Sequence, residues 1–282
     1  MTIYNDGDFL EEALQSLINQ TWKNLEIVIC DNCSTDNSQK ICEQYARKDD
    51  RINYKRSNVN IGEINNFNKA FNLAKGKYFM WASGHDIWDY SFVEKCVEKL
   101  EENPLAVTCT TFYNHIDQKG NTIKKDHRIF DTTRNNKFIG FIKAIWILFD
   151  PIIYNLTRTK DIKNVRGYLY VLGPDHVVRV ELSLMGKFVQ VPEELFLFRK
   201  QRNENSIQAE ERRLFSWNKH KRMGGFYINL PHLATIHEYA KSAWFQCDNS
   251  FDKIIYFATA YLVGFLRYNK IILLDIIRLI KR

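Results

Sequence analysis

Ile27-Val28-Ile29-Cys30 is an unbroken apolar run that ends in the polar turn Asp31-Asn32-Cys33-Ser34-Thr35-Asp36. A short apolar run bounded by a turn reads as a strand buried on both faces, as in a parallel sheet covered by helices. A second run, Tyr78-Phe79-Met80-Trp81-Ala82, ends in the same way at Ser83-Gly84-His85-Asp86. In an open α/β sheet the carboxyl ends of the strands gather on one edge. Two acidic turns far apart in sequence can therefore meet at one ligand.

Working outward, residues 1–5 read as the tail of a strand. A complete strand there would carry a few more residues in front, lost by truncation or by a late start. Residues 9–19 form a helical stripe of Leu10, Leu14, Leu17 and Ile18 with Asp8 as its N-cap. Residues 25–30 are then a strand, 34–38 cap a helix that runs to 47, and 52–55 make a short strand. Residues 65–74 form a third helix ahead of the strand 78–82. An amphipathic segment 89–101, a strand 106–113 and a hairpin-type turn 117–120 follow. The polar, basic stretch 124–136 reads either as a loop over the site or as a solvated connection. Residues 138–149 are helical, Gly173-Pro174-Asp175-His176 opens a helix that closes at Gly186, and 188–191 and 195–199 are short strands. From about residue 210 the periodicity is helical only. The expectation is an α/β domain over residues 1–209 and a C-terminal helical region over 210–282.

At 282 residues the chain buries an ample core. Forty Lys and Arg against 33 acidic residues give a net charge of +7, which favours anionic partners. The basic residues form no aromatic-interleaved stripe, which argues against nucleic acid as a partner. The six cysteines lie mostly in apolar runs with no secretory leader ahead of them, so reduced thiols in the cytoplasm are expected. Cys30 and Cys33 make a C-x-x-C, but no second pair follows to complete a zinc site.

The order and spacing of several elements together carry a resemblance. They are Tyr4-Asn5, Leu17-x-x-Gln20-Thr21-Trp22, Glu26 to Ile29 leading into Asp31-Asn32-x-Ser34-Thr35-Asp36, and Asn60-x-Gly62 with Asn68. Gly76-Lys77-Tyr78, Ser83-Gly84-His85-Asp86-Ile87-Trp88, Gly173-Pro174-Asp175, Gly186-Lys187-Phe188, Pro192-Glu193 and Arg199 continue the series. Over roughly residues 1–206 the chain resembles the family 2 glycosyltransferases, inverting enzymes of the GT-A fold that take a sugar from a nucleotide-sugar donor. The resemblance implies a Rossmann-like mixed sheet flanked by helices.

It also implies roles. Thr2 and Tyr4 would line the base pocket, and Asp31 with Asn32 would read the base edge, one accepting and the other both donating and accepting. Asp31 and Asp36 would otherwise serve as helix caps. Ser83 and Gly84 would sit at the nucleotide, and His85 and Asp86 would stand where the family's metal-binding acids stand. With one carboxylate and one imidazole, the expected divalent ion shifts from Mg²⁺ toward Mn²⁺ or toward weak binding. Asp175 would be the general base for the acceptor hydroxyl, with plain helix capping as the alternative. Relatives carry Arg-x-His where this chain has Arg199-Lys200-Gln201-Arg202, so Arg199, Lys200 and Arg202 would neutralise diphosphate charge.

Residues 253–266 and 271–280 are apolar but broken by Arg267 and Lys270, too short to span a bilayer. They suit an amphipathic helix on an anionic leaflet, or packing on the catalytic domain or a second copy. The function expected is sugar transfer from a UDP- or dTDP-sugar to a glycan or lipid-linked acceptor in surface polysaccharide synthesis. The alternative is a catalytically impaired nucleotide-binding or scaffold protein of the same fold.

Overall fold

The computed structural model describes residues 1–147, 152–200, 216 and 224–280. The alternation expected in the first half is present: β1 (Thr2–Ile3), α1 (Leu10–Ile18), β2 (Ile27–Asp31), α2 (Ser38–Ala46), β3 (Ile52–Arg56) and α3 (Glu63–Leu73). β1, β2 and β3 pair in parallel, and β2 is buried along its whole length, as its apolar run requires. Leu10, Ala13, Leu14 and Leu17 bury one face of α1. Its N-cap is Phe9, not Asp8, and no side chain caps it; the Asp6 carbonyl accepts from the Phe9 and Leu10 amides instead.

A second, mixed sheet is built from β4 (Tyr78–Phe79), β5 (Ile87–Trp88), β6 (Ala106–Ile116), β7 (Thr122–Asp126), β8 (Leu156–Arg158) and β9 (Lys187–Arg199). Its order is β4-β8-β6-β9-β5 with β7 hydrogen-bonded to β6, and only β6 and β9 run parallel. α4 (Phe92–Glu102), α5 (Lys137–Trp146), α6 (Thr159–Ile162) and α7 (Pro174–Met185) complete the layers. A single parallel bridge, Thr2 to Ser83, joins the two sheets, with the Thr2 amide donating to Ala82 O at 2.9 Å.

Three expectations are corrected here. The polar stretch 124–136 is not a free loop. Its start is β7, and farther on Phe130 N donates to Gln190 Oε1 and Thr132 N to Phe188 O, strapping it along β9. The two short strands expected over 188–199 are one strand, with a register irregularity beside Pro192, which has no N–H to give a ladder. The break at Arg267 to Lys270 is a break in hydropathy only. Arg and Lys favour helix, and one helix runs through them from Ser250 to Ile280.

The boundary expected at residue 209 lies outside the described residues. Downstream, the helices Gly225–Asn229, Pro231–Gln246 and Ser250–Ile280 do not build a core of their own. Tyr239, Ala240, Ala243, Tyr256, Ala260 and Val263 join the same apolar cluster as the sheet. Gly264 allows the last two helices to touch, since a Cβ there would meet Ile236 Cγ1 at 2.8 Å. Arg166 ties this layer to α7 through Glu238 at 2.5 Å and through Glu181.

Between β2 and the 78–82 segment lies an open cavity of about 630 Å³, lined by Met1, Trp22, Ile27, Val28, Phe79 and Trp81 among others. The Met1 ammonium stands at its end, wholly buried, donating to Val28 O at 2.7 Å. Burial pulls its pKa down to about 6, against the weaker opposing pull of Cys30 and Cys42. A base with a lowered folded pKa costs stability as pH falls from its unfolded value toward the folded one.

Candidate active site

The two acidic turns do meet at one sheet edge. At the end of β2, Asp31 is fully buried: Oδ1 accepts from Ser34 N at 2.8 Å and Oδ2 from Tyr54 Oη at 2.7 Å, with Arg56 Nε at 3.4 Å. The Tyr54 hydroxyl is pushed far up by burial and then by that carboxylate, so it stays a donor. Asn32 is also buried. Its Oδ1 accepts from Ile61 N at 2.8 Å and its Nδ2 donates to Asn60 Oδ1 at 2.9 Å, which pins the segment leading to Gly62. Both side chains expected at the base edge thus hold the walls of the edge in this arrangement. Thr2 is buried at the bridge to Ser83, and Tyr4 is half exposed beside it.

The second turn is held more tightly. Asp86 has no exposure; Ser83 Oγ donates to Asp86 Oδ2 at 2.5 Å, and Arg199 N donates to Oδ1 at 2.7 Å. Burial raises its carboxyl above the ordinary 3.8, although His85, Ser83 and Arg199 pull the other way. His85 Nδ1 lies 2.9 Å from Asp6 Oδ1. Gly84 is needed for this contact, because a Cβ would sit 2.7 Å from Asp6 Cβ. Asp6 was legible in sequence only as a turn residue, and its pairing with His85 had no local signal.

Arg199 departs from the expected phosphate role. Arg199 is 2% exposed, and its guanidinium meets protein acceptors: Nε donates to His85 O at 2.8 Å, Nη1 to Asp117 O at 3.0 Å and Nη2 to Glu12 Oε2 at 2.5 Å. It also lies 4.6 Å from the Phe9 ring. Arg199 is a brace. Lys200 is exposed, and its amide donates to Ile116 O at 2.9 Å, while Arg202 lies outside the described residues.

Asp175 opens α7 behind Pro174 at the first helical position, and Gly173 supplies the left-handed φ of 63° that turns the chain into the helix. Asp175 lines a small void with Trp81, Val178 and Phe188 and with the polar Asn155, Thr157 and Arg179, and its Oδ2 lies 3.7 Å from His176 Nε2. Tyr154 packs on Trp88, beside the second turn, with ring centroids 6.0 Å apart. Its hydroxyl is held well above the usual range by burial and then by Asp86, with Glu63 and Asp175 adding and Ser83 opposing. Tyr168 carries the influence of the same Asp175, Tyr154 and Glu63, and its ring stacks on Phe67 at 4.6 Å. Tyr154, Tyr168 and Glu63 sit outside every motif, which is why sequence reasoning missed them.

As donors for a divalent ion, these residues fall short. Asp86 has both oxygens hydrogen-bonded and no exposure, His85 is engaged with Asp6, and no group of three His, Cys, Asp or Glu side chains converges among the described residues. A Mg²⁺ or Mn²⁺ site prefers several oxygen ligands, which this arrangement does not gather.

Residues 1–165 match the family model described as Glycosyl transferase family 2. The chain belongs to that family. The transferase is 25% identical over 289 residues to an uncharacterized glycosyltransferase of Haemophilus influenzae, covering 94% of this chain and 88% of the other. It is 30% identical over 186 residues, 65% of this chain and 68% of the other, to the Escherichia coli UDP-Glc:alpha-D-GlcNAc-diphosphoundecaprenol beta-1,3-glucosyltransferase WfaP. Its fold is similar to that of Staphylococcus aureus TarS residues 1–349 in complex with UDP-GlcNAc, with a TM-score of 0.68 at 16% identity, over 94% of this chain and 71% of that one. The mixed sheet flanked by helices is the GT-A arrangement that the motifs implied.

The burial of Asp86 has a measurable sign. A carboxyl whose folded pKa is raised costs stability increasingly as pH climbs past its unfolded value. An Asn at this position would still accept from Arg199 N and would escape that cost. The stability of Asp86→Asn relative to the wild type should therefore rise from about pH 4 to about pH 7 in urea unfolding. A difference independent of pH would show that Asp86 is not held against ionisation.

Proposed function

We propose that this family 2 glycosyltransferase moves a sugar, with inversion, from a UDP- or dTDP-sugar to a hydroxyl of a glycan or lipid-linked glycan in surface polysaccharide synthesis. The observation that carries the reading is that Asp175 opens α7, which packs on the Ile152–Tyr154 turn, while Tyr154 packs on Trp88 directly after the Ser83–Asp86 turn. WfaP, named for UDP-Glc, and TarS, solved in complex with UDP-GlcNAc, support a uridine donor.

In this reading Asp175 takes the proton of the acceptor hydroxyl. The freed oxygen pair forms the new bond to the anomeric carbon, while the bond from that carbon to the diphosphate breaks on the opposite face and the nucleotide leaves with its electrons. Lys200, exposed at the end of β9, and Arg202 supply positive charge for the diphosphate. No step is routed through a metal, because the described donors do not form its cage.

Asp175→Asn should lower nucleotide release by about 10²–10⁴-fold while leaving UDP affinity unchanged, as read by coupled turnover and by titration calorimetry with and without Mn²⁺. Unchanged turnover would remove Asp175 as base. The enclosure of Asp86 favours a second reading, an impaired nucleotide binder. That reading predicts UDP binding without turnover, and failure to bind UDP under either condition would sink both.

The helix Ser250–Ile280 exposes Phe251, Ile254, Leu262, Phe265, Leu273 and Ile280, and no helix of the described residues is long and apolar enough to cross a membrane. We place this helix on an anionic leaflet, its apolar side chains at the acyl boundary and Lys253 and Lys270 at the headgroups. The transferase should float with phosphatidylglycerol vesicles, and the double change Leu262→Glu with Phe265→Glu should release it. A protein that ignores vesicles and elutes as a dimer would instead have this face covered by a second copy.

A further inference from the structure

Arg179 stands one turn after Asp175 on α7, so the two side chains share a face of that helix. It is 1% exposed, and none of its three guanidinium nitrogens has a hydrogen-bond partner among the described residues. A guanidinium keeps its charge inside a protein, and burying one unpaired is costly. A cost of that kind needs a return elsewhere.

Arg179 and Asp175 line the same void, which holds about 10 Å³, room for one water. Asn155, in the same lining, is buried with its Nδ2 also unpartnered among the described residues. Thr157 lines it too, and its Oγ1 lies 2.8 Å from Thr108 Oγ1, whose own proton goes to Leu156 O at 3.3 Å. Thr157 therefore donates to Thr108 and keeps a lone pair for another donor. One water in the void can accept from Arg179 and Asn155 and donate to the Asp175 carboxylate and Thr157. Its four hydrogen-bonding positions are matched.

The other ionisable groups around the pair do not replace this charge. His176 Nε2 lies 3.7 Å from Asp175 Oδ2, but burial and then Arg179 and Arg267 hold the imidazole well below its ordinary range, so it is neutral. Tyr154, Tyr168 and Tyr239 are held well above theirs, first by burial, and stay uncharged. Arg267 and Tyr268 bear on Arg179, and Glu63 bears on Tyr154 and Tyr168. On α7 the positive charge beside Asp175 is that of Arg179.

We infer that Arg179, acting through one buried water, is a positioning residue that keeps the Asp175 carboxylate charged and oriented for the acceptor hydroxyl. This rests on the reading of Asp175 as the base. The Asp175 side chain is 18% exposed, so it is open to an acceptor on one side and anchored at the void on the other. Partial burial by itself favours the neutral acid, which cannot take a proton, and a cation behind the carboxylate favours the ion. The acceptor proton still passes to Asp175; Arg179 gives up none.

Carbon-13 NMR of the aspartate carboxyls in the full chain follows the titration of Asp175, assigned by its loss in Asp175→Asn, beside the pH profile of nucleotide release. In Arg179→Met the carboxyl should titrate about one pH unit higher, with the acid limb of turnover moving up alike: about tenfold less activity at low pH, regained at high pH. Arg179→Lys keeps the charge and should bring both curves back toward the wild type. Asn155→Leu leaves Arg179 in place, fills the void with an apolar side chain and should shift both curves the same way by less. It reports even where Arg179→Met fails to fold. An unmoved Asp175 titration in either variant would overturn the role, as would equal shifts in Arg179→Met and Arg179→Lys. A loss of turnover equal at every pH would make Arg179 a packing residue only. A shifted carboxyl together with undiminished turnover in Asp175→Asn would instead remove Asp175 as base and leave the coupling standing.

Discussion

A carboxylate with no exposure survives only where fixed donors replace its water, and Asp86 is in that position. Its two donors are the Ser83 hydroxyl, within its own turn, and the Arg199 amide, at the far end of β9. That second hydrogen bond spans more than a hundred residues and fixes the end of the mixed sheet against the turn that bridges to the parallel sheet. Arg199 then extends the weld with its side chain, reaching His85, Asp117 and Glu12. The site edge is rigid because a costly buried charge has been surrounded completely.

This rigidity redistributes the expected roles. Side chains that look free to meet a ligand, such as Asp31, Asn32 and Arg199, are spent on protein donors and acceptors. Arg179 on α7, by contrast, is buried with no hydrogen-bond partner for its guanidinium among the described residues.

The C-terminal helices connect these features. They pack into the main core through Tyr239, Ala243 and Ala260 while leaving a row of large apolar side chains outside. One helix can do both because charged residues interrupt its apolar pattern without interrupting its hydrogen bonding. Its inner face belongs to the fold, and its outer face is available to a surface.

The parallel β1-β2-β3 unit was legible because a buried strand and an amphipathic helix each write their burial into a local period, as in Ile27 to Cys30 and in the Leu10, Leu14 and Leu17 stripe. The turn at Ser83–Asp86 and the helix opening at Gly173-Pro174-Asp175 were legible for a similar reason, since strand ends and caps have local signatures. Nothing local could disclose that Asp6 meets His85, or that Tyr154 packs on both Trp88 and Phe196. The same holds for the hydrogen bonds that enclose Arg199, which are made with residues in three different segments. Sequence by itself determined the alternating elements of the first half, their order and the family, because periodicity and turn chemistry act over a few residues. Which charges are enclosed and which lack a partner was decided by tertiary structure alone, because burial and pairing depend on neighbours that only folding supplies.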